Sequence, residues 1–195
     1  MNNAHEIIIA GFGGQGVLSM GQIIGYAAMI EGKEVSWMPS YGPEMRGGTA
    51  NCIVIVSPRK ISSPIVSSFD SAIILNQPSL EKFEKAVKPK GFLMYEQSTV
   101  ISLPSRNDIE LLAVQGMEEA MKLKKKQVAN MILLGAFLSR KPVVRTENIM
   151  AALKKVLPER HHHLLPLNEQ ALAIGQSLGS STVSLSSKVP VPEKG

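Results

Sequence analysis

One cysteine, one tryptophan and no long apolar run: what this 195-residue chain is short of narrows its identity before any motif is found. Cys52 alone can form no disulfide within the chain and no C-x-x-C metal pair, and it cannot supply the four thiolates of an iron–sulfur cluster. Inside "NCIVIV", with no histidine near it in sequence, it reads as a small buried hydrophobe and not as a catalytic thiol. Aromatic residues make up 5% of the chain, and no RNA-binding signature or basic helical stripe accompanies them. The net charge of +5 therefore permits a polyanion without calling for nucleic acid. No stretch approaches the ~18 uninterrupted apolar residues of a membrane span. His5 and Glu6 stand directly before a glycine loop, which leaves no secretory leader, so the expected location is cytoplasmic, with no membrane partner.

What is present is a globular composition, 44% apolar and 19% charged, in which strand and helix signals alternate through the first half. "EIIIA" is the first strand. Residues 17 to 30 carry apolar groups at helical spacing, and Gly32 suits the left-handed turn that ends a helix. "KEVSWMP", "TANCIVIV", "DSAIILN" and "GFLMYE" read as further strands, with a short helix from Pro78 closed by Pro89 and Gly91. From residue 116 four helical stretches follow, "GMEEAMKL", "KQVANMILLGAFLSR", "TENIMAALKKVLP" and "NEQALAIGQSL", the third opened by Thr146 with Glu147 in its first turn. The expected fold is a three-layer α/β/α domain with a largely parallel sheet of about five or six strands. Residues 1–178 are expected to form that single domain, and 179–195 a flexible tail rich in Ser and Pro.

"GFGGQG" places Gly11, Gly13 and Gly16 in a G-x-G-x-x-G pattern between a buried strand and a helix. With Gly14 and Gln15 these glycines are the candidate cofactor-binding residues. Glycines at such a junction let backbone N–H groups converge on an anion at a helix amino end. They also let strand and helix pack closely, and both readings stand at this point. A dinucleotide site further wants an acidic residue about twenty positions on, at the end of the second strand. That strand here ends Ser36, Trp37, Met38, Pro39, which argues against NAD or FAD.

A second constellation, "PSYGPEMRGGTANC", sets Tyr41, Glu44, Arg46, Gly47 and Gly48 in a polar loop that should share a rim with the first. Arg46 suits a carboxylate or phosphate through its planar fork, and these five residues are candidates for an interface or ligand loop. An internal Glu44–Arg46 ion pair in a rigid connector is the blander alternative. His161, His162 and His163 are consecutive, so their side chains diverge and no metal site is assigned. Lys122, Lys124, Lys125 and Lys126 form a basic run that is either simply hydrated or meets an acidic surface or an anionic cofactor. No spacing supports a nucleophile–base or paired-carboxylate arrangement, and no catalytic residue is assigned.

Taken together, "GFGGQGV" after an amino-terminal strand, "PSYGPEMRGGTANC" and "SSPIVSSFDSAIILNQPSLEKF" resemble the gamma subunit of 2-oxoacid:ferredoxin oxidoreductases, nearest to the 2-oxoglutarate type. The resemblance covers about residues 5 to 175. It implies a subunit, inactive alone, of an enzyme that converts a 2-oxoacid, coenzyme A and oxidised ferredoxin to acyl-CoA, CO2 and reduced ferredoxin. Its implied partners are alpha, beta and ferredoxin-like subunits, which would carry the thiamine diphosphate, Mg and iron–sulfur clusters, with none of these held by this chain alone. Coenzyme A is the implied ligand at the glycine loop. Related pyruvate enzymes carry lysines near the second loop, where this chain has Glu44, Met45 and Arg46. The alternative reading of the residues is a free-standing nucleotide-binding oxidoreductase of Rossmann-like fold.

Overall fold

The computed structural model describes residues 4–40 and 49–181. Its spine is β1 (His5–Phe12), whose "IIIA" is buried on both faces: Ile7 and Ile9 enter one core, Ile8 and Ala10 the other. A β-branched run without polar alternation is what a central strand covered on both sides requires. Around it stands a six-stranded sheet in the order β2-β3-β1-β4-β5-β6, with β2 at Glu34–Ser40, β3 at Thr49–Ser57, β4 at Phe69–Ile74, β5 at Val87–Glu96 and β6 at Glu110–Val114.

Pairs β1–β4, β4–β5 and β5–β6 are parallel, whereas β3 runs antiparallel to both β1 and β2. The largely parallel sheet is thus a mixed one with a single reversed strand. The reason is chain length: only residues 41–48 separate β2 from β3, fewer than the dozen or so that a parallel crossover takes.

The layers are unequal. Helix α1 (Val17–Ile30), α3 (Gly116–Lys122), α4 (Ala129–Arg140), α5 (Thr146–Val156) and α6 (Leu165–Ser181) share the core of Ile7 and Ile9. The opposite face is covered by α2 (Gln77–Phe83) and by connecting segments that supply Val66, Val100 and Ile109. Helix α1 has the expected limits and closes with both bonds of a Schellman turn, Gly32 N to Met29 O and Lys33 N to Ala28 O, with Gly32 at φ +71°.

One expectation changes. Pro89 and Gly91 do not close a helix; they lie in the irregular first half of β5, after a 3-10 turn at Glu84–Ala86, and regular pairing with β4 begins at Phe92. Pro is tolerated there because the ladder is interrupted. Helix α5 opens at Thr146 with Glu147 in its first turn, as expected, and the Glu31 carboxylate, from the end of α1, accepts from Arg145 N and from Asn148 Nδ2 at that helix start. Helix α6 continues through Ser181, and residues 182–195 lie outside the described ones.

Candidate functional site

Beyond Phe12 the chain turns through Gly13 to Gly16 into α1, at the carboxyl end of β1. Gly14 and Gly16 have φ of +89° and +81°, backbone that only glycine adopts without strain. Gln15 holds the turn shut: its Oε1 accepts from Phe12 N at 2.6 Å and its Nε2 donates to Leu75 O at 3.2 Å. Gly11 lies in the strand, and a Cβ there would stand 2.8 Å from Leu75 Cβ. Of the five residues assigned to the loop, Gly11 builds it, Gln15 both holds it shut and lines the adjoining cavity, and Gly13, Gly14 and Gly16 form its surface.

The amino end of α4 lies against this loop, since a Cβ on Gly16 would meet the Asn130 side chain at 2.7 Å. Neither α1 nor α4 has a side-chain cap or an acidic residue in its first turn. Two helix ends without side-chain caps, each worth about half a positive charge, thus converge; the first turn of α1 opens directly from the loop, whereas α4 follows a 3-10 turn at Lys126–Val128 and its Ala129 N–H is already given to Lys126 O. Two depressions flank the loop and share Gly14. One, of about 270 Å³, is walled by Phe12, Gly13, Gly16 and the first turn of α1 through Ser19, with Ala50. The other, of about 190 Å³, lies between Gly14, Gln15, Leu75, Glu96, Met117, the 3-10 turn before α4 at Lys126 and Gln127, and Asn130 in the first turn of α4.

The second constellation, Tyr41, Glu44, Arg46, Gly47 and Gly48, lies outside the described residues. Its flanking strand ends are at the same end of the sheet as Phe12, because Thr49 pairs with Phe12 and Ser40 with Asn51. Within the lysine run, Lys122 is engaged by Glu118 and Glu119, whereas Lys126 reaches the smaller depression. Glu96, Gln127 and Asn130 were not legible as site residues. Glu96 had a signal, a carboxylate at the carboxyl end of a central strand, where α/β sheets gather ligands.

Cys52 is fully buried on the α1 side of β3, and burial pushes its thiol up to about 12. Among the described residues no group of three His, Cys, Asp or Glu could hold a metal ion. His162 instead donates to Lys154 O and Leu157 O, and His163 to Arg160 O, in the turn before α6. No helix among the described residues is long and apolar enough to cross a membrane.

Comparison with known proteins adds the following. The family model for pyruvate ferredoxin/flavodoxin oxidoreductase matches residues 6–178. The chain is 42% identical over 134 residues to the ketoisovalerate oxidoreductase subunit VorA of Methanothermobacter thermautotrophicus, covering 69% of this chain and 28% of VorA. It is 31% identical over 158 residues to the 2-oxoglutarate synthase subunit KorC of Methanocaldococcus jannaschii, covering 79% of this chain and 84% of KorC. The chain thus spans little more than a quarter of one relative and most of the other. In fold it is similar to the gamma subunit of keto/oxoacid ferredoxin oxidoreductase from Geobacter sulfurreducens PCA, with TM-score 0.79, 29% identity, and coverage of 91% of this chain and 99% of that one. It also superposes on 2-oxoglutarate:ferredoxin oxidoreductase from Magnetococcus marinus, a structure with 2-oxoglutarate, coenzyme A and succinyl-CoA bound. There the TM-score is 0.85 at 22% identity, over 94% of this chain and 32% of that one.

Proposed function

Because the chain belongs to the pyruvate ferredoxin/flavodoxin oxidoreductase family, we propose that it is the gamma subunit of a 2-oxoacid:ferredoxin oxidoreductase and that its glycine loop seats a phosphate of coenzyme A. The overall reaction oxidises the 2-oxoacid by two electrons, releases its carboxylate as CO2, joins the acyl group to the coenzyme thiol and passes the electrons to ferredoxin. Thiamine diphosphate, with Mg, supplies the decarboxylation chemistry of such enzymes. With a single buried cysteine, this chain has no ligand set for a cluster, so the clusters belong to partner chains.

The observation that carries the reading is the convergence of α1 and α4 on one glycine loop. The N–H groups of the first turn of α1 and the dipoles of both helices favour an anion there. Lys126, on the wall of the neighbouring depression across Gly14, adds an ammonium with no ion pair among the described residues. The wall of Gly13, Gly16 and Ser19 carries no carboxylate, so no side-chain anion opposes a phosphate there.

For the 2-oxoacid, 2-oxoglutarate comes first. Three relatives named 2-oxoglutarate synthase subunit KorC are 30% to 32% identical over 84% to 86% of their length, against 27% and 28% identity for the pyruvate and the pyruvate/ketoisovalerate subunits that align over 84% of theirs; VorA, named for ketoisovalerate, is 40% to 42% identical but over 28% of its length. The test is native purification of the tagged chain from its own cells. Co-elution with larger chains in fixed ratio, and viologen reduction that needs both a 2-oxoacid and coenzyme A, is expected; comparing 2-oxoglutarate, ketoisovalerate and pyruvate then ranks the substrates. Elution as a single species with oxidoreductase activity of its own would overturn the subunit reading.

A further inference from the structure

We infer that the cavity at the amino end of β1, between His5, Lys33 and Lys141, is a second ligand site, and that it takes a carboxylate carried on a short apolar body. It shares no residue with the depressions at the glycine loop, which leaves the other end of β1, so it stands whatever that loop binds.

The cavity measures about 330 Å³, inside the range of pockets that enclose a whole small molecule. Three nitrogen-bearing side chains reach it from separate parts of the chain: His5 opens β1, Lys33 stands between α1 and β2, and Lys141 follows α4. Each keeps a donor to spare. An ammonium has three N–H groups. Lys33 directs two, to Val143 O at 2.8 Å and Glu31 Oε2 at 2.7 Å, and Lys141 one, to Glu110 Oε2 at 2.8 Å. His5 Nε2 lies 2.8 Å from Oγ of the fully buried Ser71. That contact orients the ring and leaves Nδ1, which has no hydrogen bond among the described residues, for a ligand. Because Glu31 and Glu110 offset part of the lysines' charge, the spare donors, more than an excess of charge, select the anion.

The walls decide what carries the charge. Neither Glu31 nor Glu110 lines the cavity, and no other carboxylate among the described residues does. The depressions that adjoin it are different: the one sharing Lys33 and Pro142 includes Glu31 and Glu147, and the one sharing His5 and Lys141 includes Asp70. An anion would stand beside a like charge in either neighbour, whereas here it would not. The rest of the lining is apolar, with Val56, Pro58, Pro142 and Val143. Hydrocarbon replaces water favourably against such walls. A carboxylate on an aliphatic chain therefore satisfies both parts of the lining, where inorganic phosphate would satisfy the donors alone.

The test titrates the full chain, as purified with its partners, with three probes: hexanoate, hexanamide and inorganic phosphate. The wild type is expected to bind hexanoate about tenfold or more tightly than the amide, as for hydrogen bonds to a charged group, and more tightly than phosphate. Two variants tie that binding to this cavity. Lys141→Gln removes one ammonium and leaves Glu110 paired with Arg140; Pro58→Glu sets a carboxylate on the exposed rim. Each should weaken hexanoate about tenfold or more, with the far-ultraviolet circular dichroism unchanged. Absence of hexanoate binding, equal binding of acid and amide, or phosphate bound as tightly as hexanoate overturns the inference. Hexanoate binding that either folded variant leaves unchanged lies elsewhere and overturns it too. If Lys141→Gln does not fold, Pro58→Glu, at an exposed position, decides the matter.

Discussion

Gly16 and Asn130 meet where the first and fourth helices begin: a Cβ built on Gly16 would stand 2.7 Å from Asn130 Nδ2 and 2.8 Å from Asn130 Cβ. The absence of a side chain at Gly16 is what lets the two helix ends approach. Gly14 has the same sign of φ but open space around it, so the pair separates backbone strain from crowding. Gly14→Ala should cost ~1–2 kcal/mol for the left-handed conformation alone, and Gly16→Ala more, because Asn130 must also move. Urea unfolding midpoints measure both. Equal losses would mean that α4 yields easily and is not held against the loop.

A second close approach lies behind the site. A Cβ on Gly175 of α6 would overlap the carbonyl oxygen of Ile132 on α4, and one on Gly135 that of Leu172. Backbone cannot give way as a side-chain tip does, so Gly175→Ala should lose about 1–3 kcal/mol although alanine is the better helix former. Gly25→Ala in α1, where Val35 Cγ1 at 3.3 Å is the nearest obstacle, should be close to neutral. Thermal unfolding of the two variants side by side is the check.

Cys52 should be chemically silent in the native protein. Its thiol is buried, with its pKa pushed up to about 12, so almost no thiolate exists at neutral pH. Alkylation by iodoacetamide should be slow on the folded chain and at least a hundredfold faster in denaturant. Comparable rates in both states would show that β3 and α1 part readily at Gly21.

The far end of the sheet carries the acid sensitivity. Burial lowers the His5 pKa below 6.5, against the pull of Asp70 and Glu6 and with the help of Lys141 and Lys88. The folded state therefore resists a proton that the unfolded chain takes up. This contribution is complete above about pH 6.5 and is lost as pH falls through the folded value. For Glu110, burial acts upward, but hydrogen bonds from Lys141 and Arg140 prevail and hold it below 4.5. Its contribution is present above that value and fades at lower pH. Stability should thus fall in two stages on acidification. His5→Gln should remove the first and Glu110→Gln should shrink the second, to which Glu31 also contributes because hydrogen bonds from Lys33, Arg145 N and Asn148 outweigh its burial and hold it low; both are read from urea midpoints across the range. A single step untouched by either variant would contradict the assignment.

Much of this arrangement was legible in the sequence because its signals are local. The limits of α1, the buried triplet of isoleucines and the glycine loop follow from periodicity and from residues that break it. The reversal of β3 was implicit in the length of the segment before it, yet "TANCIVIV" reads the same in either direction. Pro89 and Gly91 misled because both end helices as readily as they interrupt a strand. At the site, the motif marks Gly11 and Gln15, but that both also meet Leu75 is a tertiary fact. Glu96 and Asn130 are separated from the loop by more than eighty residues, and only the sheet order brings them to it.

The phosphate seat is tested most directly by the apparent KM for coenzyme A of the assembled complex, with this chain as wild type or as Lys126→Glu. Lys126 borders the loop without an ion pair among the described residues, so reversing its charge leaves no buried partner stranded. The account predicts a KM for coenzyme A raised about tenfold or more at low salt, where such a charge counts most, with the KM for the 2-oxoacid unchanged. An unaltered KM for coenzyme A in a fully assembled variant complex would contradict it.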